Sequence, residues 1–218
     1  MLKALIFDFD GLMIDTESPE YVALCEIYAE YGHTLPITTY VLIVGSEYNE
    51  QFEPISYLRG LTGEAVDVEA FWQRMNSRRM DIIEKLPPLP GVEDLIRDAK
   101  TRGIKLAVAS SSPHSWVDKH LKRLNLFHYF DVIKCKDDVA RVKPMPDLFL
   151  AALKELHMQK NEVVIFEDSL NGIIAAQRAG IRVIAVPNQI TTHSKIQGEI
   201  MRLQSLADIT LDELLNKL

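Results

Sequence analysis

Two aspartates stand at the end of the first apolar stretch of the sequence, where they could take part in one chemical site. Asp8 and Asp10 close the stretch from Leu2 to Phe9, and Gly11 follows them. An apolar, β-prone stretch that ends in a turn signal is typical of a buried strand. Residues two apart in an extended chain project to the same side. We therefore expect both carboxylates to face one pocket, although an acidic turn that caps a strand would have the same sequence.

A second acidic pair follows another apolar stretch. Glu167 and Asp168 come directly after Val163 to Phe166. The carboxyl ends of parallel strands meet at one edge of a sheet, where open α/β sheets bind their ligands. Four carboxylates at that edge would repel one another unless a hard cation neutralised them, and oxygen ligands with a phosphate are what Mg²⁺ prefers. The two pairs together predict a Mg²⁺ site, with a helix N-cap as the alternative role for Asp168.

Hydroxyl and cationic side chains suited to an anion follow two further strands. The run from Ser110 to Pro113 comes after the stretch Ile104 to Ala109, and Ser112 and Pro113 are typical of an N-cap and a first helical position. Hydroxyls and free amides would thus meet at a positive helix end, which favours a phosphate. Lys143 precedes another helical segment. Alone, these are an ordinary N-cap and a solvated lysine; beside the carboxylates they predict a phosphate site.

The elements that must position these residues alternate between strand and helix. The predicted strands are Leu2 to Phe9, Ile104 to Ala109, Phe130 to Ile133, Val163 to Phe166 and Arg182 to Val186. They are short and lack strict alternation, which is typical of strands covered on both faces. Helical segments with start and stop signals lie between them. The predicted fold is therefore α/β, a doubly wound parallel sheet.

Residues 15–86 interrupt this alternation and read as one helix after another. The predicted helices are Pro19 to Tyr31, a segment after Ser46, and Asp67 to Glu84. We expect an α/β core formed by residues 1–14 and 87–218 and an inserted α-helical domain formed by residues 15–86, joined by two short linkers. Trp72 and Trp116 both lie in helical segments and are interpreted as packing residues.

Charge and composition restrict the class of partner. The chain has 24 basic and 31 acidic residues and a net charge of −7, so it lacks the basic footprint of a nucleic-acid-binding protein. It has no apolar run near the roughly 20 residues of a membrane span and no signal-peptide pattern. Cys25 and Cys135 are far apart and predict two buried thiols rather than a disulfide. We expect a cytoplasmic, monomeric protein with a small-molecule partner, without nucleic acid or membrane.

The combined motifs resemble those of the haloacid dehalogenase superfamily. They are Asp8-x-Asp10-Gly11-x-x-x-Asp15-Thr16-Glu17, then Ser110, Lys143 and Glu167-Asp168-Ser169-x-x-Gly172. The resemblance spans nearly the whole chain, and an insertion after the first motif is similar to that of the β-phosphoglucomutase-like branch with a helical cap. It implies a Rossmann-like core and an enzyme that transfers phosphoryl groups.

The resemblance also implies a role for each matching residue. Asp8 would be the nucleophile that forms an aspartyl-phosphate, and Asp10 the acid that protonates the leaving group and later activates water. The phosphate clamp would be formed by Ser110, Ser111 and Lys143. Mg²⁺ would be held by the Asp8 carboxylate, the Asp10 carbonyl and Asp168, with Glu167 binding directly or through water.

Within that family, the sequence favours a phosphatase acting on a small phosphomonoester, such as a sugar phosphate. β-Phosphoglucomutases carry an arginine shortly after a cap glycine, whereas the stretch after Gly45 has acidic residues instead. The alternatives are a phosphosugar mutase and a non-catalytic phosphate-binding module. We expect Glu17, Glu20 and Glu47 to contribute to substrate specificity by binding sugar hydroxyls.

Overall fold

A six-stranded parallel sheet forms the centre of the molecule. The computed structural model describes residues 2–46, 52–63 and 65–217. The strands are β1 (Ala4–Phe7), β2 (Lys105–Ala109), β3 (Val132–Lys134), β4 (Val163–Glu167), β5 (Arg182–Ala185) and β6 (Met201–Arg202). Their order across the sheet is β3-β2-β1-β4-β5-β6, and every pairing is parallel. The predicted doubly wound α/β fold is therefore confirmed, with β1 between β2 and β4.

The sheet is covered on both faces because its strands alternate between two apolar cores. Leu5 and Phe7 of β1 pack in one core with helices from the chain's middle and end, while Ala4 and Ile6 pack in the other. All four residues are fully buried. Burial on both faces explains why these strands read as continuous apolar runs rather than as alternating patterns.

Nine helices surround or precede the sheet in the described part of the chain. They are α1 (Glu17–Glu30), α2 (Ile37–Tyr40), α3 (Pro54–Thr62), α4 (Val68–Ile83), α5 (Val92–Thr101), α6 (His114–Arg123), α7 (Asp147–Leu156), α8 (Leu170–Ala179) and α9 (Leu211–Lys217). Helices α3, α4 and α8 begin with a side-chain cap. The Asp67 side chain accepts a hydrogen bond from the Ala70 amide at the start of α4, and Ser169 accepts one from Gly172 at the start of α8.

Helices α1 to α4 contribute to an apolar cluster of their own. Tyr28 of α1, Tyr40 of α2, Leu58 of α3 and Phe71 of α4 are among its buried members, and Ile190 from the loop after β5 joins them. None of its buried members belongs to either of the two cores that cover the sheet. A separate cluster is what an inserted helical domain requires, and the division at residues 14/15 and 86/87 stays a prediction.

The two segments that connect these helices to the sheet contact each other. Gly11 has a positive φ of 77° and begins a tight turn in which its amide donates to the Ile14 carbonyl at 2.9 Å. The Leu89 amide of the second segment donates to the Met13 carbonyl of the first, also at 2.9 Å. The helical region is thus entered and left at neighbouring points above β1.

Several sequence predictions needed adjustment. The third strand begins two residues later than expected, and β6 was not predicted. Both cysteines are free thiols, but only Cys135 is buried, since Cys25 is partly exposed. Among the described helices, none combines the length and apolar character needed to cross a membrane.

Candidate active site

A buried lysine between two carboxylates forms the base of the site. Asp8 follows β1, Glu167 ends β4, and Lys143 precedes α7. The Lys143 Nζ donates to Asp8 Oδ1 at 2.5 Å and also to Glu167 Oε1. The side chains of Lys143 and Glu167 are fully buried, and that of Asp8 is 4% exposed. Because β4 is paired with β1, the predicted meeting of these residues at one sheet edge is observed.

Burial and crowding of like charges shift the pKa values of this cluster. Burial, followed by the nearby Glu167 carboxylate, raises the pKa of Asp8 to about 7. Burial and the charges of Asp8 and Glu167 raise the pKa of Asp168 well above its ordinary value. Burial would lower the pKa of Lys143, but the two carboxylates beside it outweigh this and raise its pKa. The lysine is therefore charged, and one positive charge faces three carboxyl groups.

The carboxylate of Asp168 is oriented by the side chain of Asn188. Asn188, in the loop after β5, donates from Nδ2 to Asp168 Oδ2 at 2.8 Å and to the Gly11 carbonyl at 3.0 Å. Asp168 Oδ1 is buried and has no hydrogen-bond partner among the described residues. Oxygens of Asp8, Glu167 and Asp168 lie within 4.8 Å of one another. An unpartnered buried oxygen in an acidic cluster is suited to a cation.

Both oxygens of the Glu167 carboxylate accept hydrogen bonds from within the protein. Its Oε2 accepts hydrogen bonds from the Ser169 amide at 3.2 Å and hydroxyl at 3.1 Å, while Oε1 receives Lys143. A Cβ at Gly172 would overlap the Glu167 carboxylate. Glycine at this position of α8 is therefore required for the carboxylate to lie against the helix.

The serine run after β2 contacts the second aspartate. Ser112 Oγ donates to Asp10 Oδ2 at 2.7 Å, and Ser110 Oγ lies 3.4 Å from the same oxygen. The prediction that Ser112 is the N-cap of α6 is wrong, because the helix begins at His114 with Pro113 as its N-cap and without a side-chain cap. The hydroxyl of Ser112 is used by Asp10 instead.

Trp116 is the clearest residue that the sequence reasoning missed. Its indole Nε1 donates to Asp10 Oδ1 at 2.8 Å, so it does more than the packing predicted for it. Asn188 was also not among the predicted site residues. The contact of Trp116 spans 106 positions of the chain and that of Asn188 with Asp168 spans 20. The signal available was that each residue follows a strand of the parallel sheet.

A cavity of about 840 Å³ lies above these groups and below the helical region. Asp8, Asp10 and Ser110 line it from the sheet, and Arg79 of α4 and Glu17 of α1 line it from the helices. The remaining charged residues of the lining are Glu20, Lys119 and Lys136. The cavity therefore has a polar floor and a roof with charges of both signs.

The predicted specificity residues have different surroundings. Glu17 accepts a hydrogen bond from the Tyr40 hydroxyl at 2.9 Å, and burial followed by the charge of Glu20 raises its pKa well above the ordinary value. Glu20 forms an ion pair with Arg79. Glu47 lies outside the described residues. The structure thus brings Glu17 and Glu20 to the cavity and adds Arg79, which the sequence reasoning did not single out.

The loop between α2 and α3 contacts the sheet side of the site at three points. Ser46 Oγ donates to the Lys143 carbonyl at 2.7 Å, Ser111 Oγ donates to the Gly45 carbonyl at 3.0 Å, and Asn171 Nδ2 donates to the Val44 carbonyl at 2.9 Å. Ser111 therefore faces this loop. The contacts hold the helical region over the cavity.

Comparison with known proteins gives a consistent family. The sequence model of the family described as "Haloacid dehalogenase-like hydrolase" matches residues 5–186. "Putative phosphatase YhcW" of Bacillus subtilis is 42% identical over 218 residues, covering 100% of this chain and 98% of that protein. "Phosphorylated carbohydrates phosphatase" of Thermotoga maritima is 33% identical over 224 residues, with 100% and 98% coverage.

A solved structure shows the same fold over the full length. The crystal structure of a "putative beta-phosphoglucomutase" from Thermotoga maritima superposes with a TM-score of 0.76 and 29% identity, covering 100% of both chains. The family model's match, residues 5–186, includes β2 to β5 in full and β1 except for Ala4. These likenesses agree with the resemblance seen in the sequence motifs.

Proposed function

We propose that this chain, which belongs to the haloacid dehalogenase-like hydrolase family, is a Mg²⁺-dependent phosphatase that hydrolyses a small phosphomonoester, preferably a sugar phosphate. The observation that carries the proposal is the buried Lys143 beside Asp8, with the unpartnered oxygen of Asp168 close by. A carboxylate can attack a phosphate dianion only where positive charge offsets the repulsion. Relatives named as phosphatases, one of them for phosphorylated carbohydrates, support the substrate class.

The acidic cluster fits a divalent cation. Three carboxyl groups face one lysine, and burial disfavours the charged forms of Asp8 and Asp168 unless a further positive charge is present. We propose that Mg²⁺ is held by the Asp8 carboxylate, the Asp10 carbonyl and Asp168, with Glu167 acting through water because both its oxygens already accept hydrogen bonds. When bound, Mg²⁺ would supply electrostatic stabilisation of the transferring phosphoryl group.

Asp8 and Asp10 then act in two successive steps, and each step combines a phosphoryl transfer with a proton transfer. Asp8 attacks phosphorus, the bond from phosphorus to the ester oxygen breaks, and Asp10 gives its proton to that oxygen. In the second step Asp10 takes a proton from water, the water oxygen bonds to phosphorus, and Asp8 is released with inorganic phosphate. Covalent catalysis of this kind replaces one difficult displacement with two easier ones. Ser110, Ser111 and Lys143 hold the phosphoryl oxygens during both.

The helical region would act as a cap over this chemistry. We assign residues 15–86 to the cap and residues 1–14 and 87–218 to the core. Closure would exclude water until substrate is bound, and the hydrogen bonds that join Ser46 to Lys143 and Gly45 to Ser111 support a cap that rests on the core. Glu17, Glu20 and Glu47 are proposed to bind sugar hydroxyls. Cytoplasmic location and a monomeric state remain part of this proposal.

A phosphosugar mutase is the second candidate, and Arg79 favours it. A mutase must hold the distal phosphate of a bisphosphorylated intermediate with a cation from the cap. The stretch from Gly45 to Glu50 has no arginine, but Arg79 of α4 lines the cavity from the helical side. Its ion pair with Glu20 weighs against this role, because the partner must be displaced first.

Phosphate release from a panel of sugar phosphates and other small phosphomonoesters, with Mg²⁺ and with EDTA, tests the proposal. Release that needs both Mg²⁺ and Asp8, as judged with Asp8→Asn, is the expected result. Release that survives Asp8→Asn would overturn the covalent mechanism. Silence across the panel together with exchange between phosphosugar isomers would establish the mutase instead.

A further inference from the structure

We propose that Trp116 is a positioning residue for Asp10, because its indole N–H holds the carboxyl group in the orientation in which it faces the cavity. The inference rests on the proposed function, in which Asp10 is the acid and base. It adds a residue that the motifs of the family, as they occur in this sequence, do not include. The starting observation is the 2.8 Å hydrogen bond from Trp116 Nε1 to Asp10 Oδ1.

Each oxygen of Asp10 has a different donor. Oδ1 accepts from the indole of Trp116, and Oδ2 accepts from the Ser112 hydroxyl at 2.7 Å. Two donors on opposite oxygens fix both the place and the rotation of the carboxyl plane, since neither χ angle can change without breaking a bond. Asp10 and Trp116 both line the cavity, so the fixed group remains open to substrate.

The two donors differ in what they allow. An indole N–H can only donate, so Oδ1 of Asp10 must stay an acceptor. A hydroxyl can rotate and can accept as well as donate. The carboxyl group of Asp10 is therefore held by a fixed donor on Oδ1 and by a donor that can turn on Oδ2. Trp116 makes the two oxygens of Asp10 chemically unequal.

Trp116 is itself held on two sides by residues from different parts of the molecule. His120, one turn later on α6, is fully buried and packs against the indole with ring centroids 4.3 Å apart at 64°. The Arg79 guanidinium of α4 lies 5.4 Å from the indole centroid and is paired with Glu20. Helix α4 thus contacts the residue that orients Asp10. Placement of the cap and orientation of the acid are linked through one side chain.

Trp116→Phe tests the proposal because it keeps the apolar ring and removes the N–H. Two substrates separate its effect on the acid from its effect on the fold: the best sugar phosphate of the panel, whose alkoxide leaving group needs a proton, and p-nitrophenyl phosphate, whose leaving group does not. We expect kcat/KM for the sugar phosphate to fall about tenfold or more, within the range that a general acid supplies, with kcat/KM for p-nitrophenyl phosphate changed less than about twofold. Equal losses on both substrates would overturn the proposal.

A double-mutant cycle gives an independent reading. If Trp116 acts through Asp10, Trp116→Phe should have no further effect on sugar-phosphate turnover in an Asp10→Ala background. Additive losses would show that the tryptophan acts elsewhere. Wild-type turnover and its loss in Asp8→Asn report on the proposed phosphatase separately, so failure of that function cannot be confused with failure of this inference.

Fluorescence tests the contact without any substrate. In a Trp72→Phe background Trp116 is the sole tryptophan. Asp10→Ala should shift its emission maximum and intensity because the carboxylate acceptor is lost. Asp118→Ala, which removes a carboxylate two residues away on the same helix, should leave the emission unchanged. Identical spectra with and without Asp10 would contradict the inference even if Trp116→Phe does not fold.

Discussion

The ion pair at the base of the site has two effects that can be measured separately. Lys143 is the residue that brings positive charge to Asp8 and Glu167, and all three are almost completely buried. Loss of its amine removes stabilisation of the phosphoryl group and also leaves two acids without their cation. A buried ion pair that loses one partner is costly because the other charge remains desolvated.

We expect Lys143→Met to lower kcat/KM by about a hundredfold or more, as for loss of a donor to developing charge. In EDTA it should also lower the free energy of unfolding, by about 3 kcal/mol. Enzyme assays and urea denaturation measure the two effects. Lys3→Met is the control, because Lys3 pairs with Glu162 at the opposite end of the sheet and its side chain is 55% exposed. A variant at position 143 with full activity would exclude the proposed clamp.

Asp168 should matter mainly through its unpartnered oxygen. We expect Asp168→Asn to weaken Mn²⁺ or Mg²⁺ binding at least tenfold, because it removes a negative charge and leaves the Asn188 contact possible. Titration of Mn²⁺ followed by electron paramagnetic resonance measures this without turnover. Asp212→Asn is a matched control, since Asp212 lies exposed on α9 and pairs with Arg102. Unchanged affinity in the Asp168 variant would place the cation elsewhere.

Residue types and local order were enough to predict which acidic side chains would lie close together. Asp8 follows β1, and Glu167 and Asp168 lie at the end of the adjacent β4, so these three meet as expected. Lys143, in the segment before α7, joins them. The role of Ser112 could not be predicted in the same way. Its hydroxyl could hydrogen-bond either to the start of α6 or to the carboxylate of Asp10, which is 102 positions away in the chain. Only the packing of the folded chain determines which of the two it binds.

At the scale of elements, the close approach of the α2–α3 loop to α8 depends on one glycine. Gly45 has a positive φ of 78°, and a Cβ there would overlap the Ser169 side chain. Its carbonyl accepts from Ser111. A residue with a side chain would therefore strain the backbone and also push the loop away from the core.

We expect Gly45→Ala to raise KM for the best substrate by about tenfold, because substrate binding would have to supply the energy needed to bring the displaced loop back against the core. It should also lower the free energy of unfolding by about 1 to 2 kcal/mol. Gly32→Ala is the control. Gly32 has nearly the same φ, 75°, but open space where its Cβ would lie. Steady-state kinetics and thermal melts should show similar destabilisation in both variants and a KM effect in Gly45→Ala alone. Equal KM values would show that loop contact does not limit binding.

The elements themselves differ in how well the sequence predicts them. β1 and β4 are buried on both faces, and their apolar runs were recognised with small errors at the ends. β3 and β6 lie at the two edges of the sheet and are short and partly exposed, so their hydrophobic signal is weak. Met201 and Arg202 of β6 carry no pattern that separates a strand from a loop. Pairing with β5 defines this strand, and pairing is not a local property.

At the scale of the whole molecule, the buried acidic site makes the stability of the folded chain depend on pH. A carboxyl group whose pKa is higher in the folded than in the unfolded chain stabilises the fold when protonated, and this stability is lost as the pH rises through the folded pKa. The pKa of Asp8 rises from 3.8 to about 7 through burial and the charge of Glu167. The metal-free protein should therefore lose stability between about pH 4 and pH 7.

Mg²⁺ should reverse this trend because a cation bound only to the folded state adds stability by mass action. We expect the melting temperature in EDTA to be lower at pH 8 than at pH 6, and the difference to shrink when saturating Mg²⁺ is present. The comparison needs Asp8→Asn, in which the part of the pH-dependent step in EDTA that Asp8 contributes should disappear while the part contributed by Asp168 remains. A melting temperature that is independent of Mg²⁺ at pH 8 would mean that the cluster of Asp8, Glu167 and Asp168 is satisfied within the protein, and that the charge offsetting the phosphate comes from Lys143 alone.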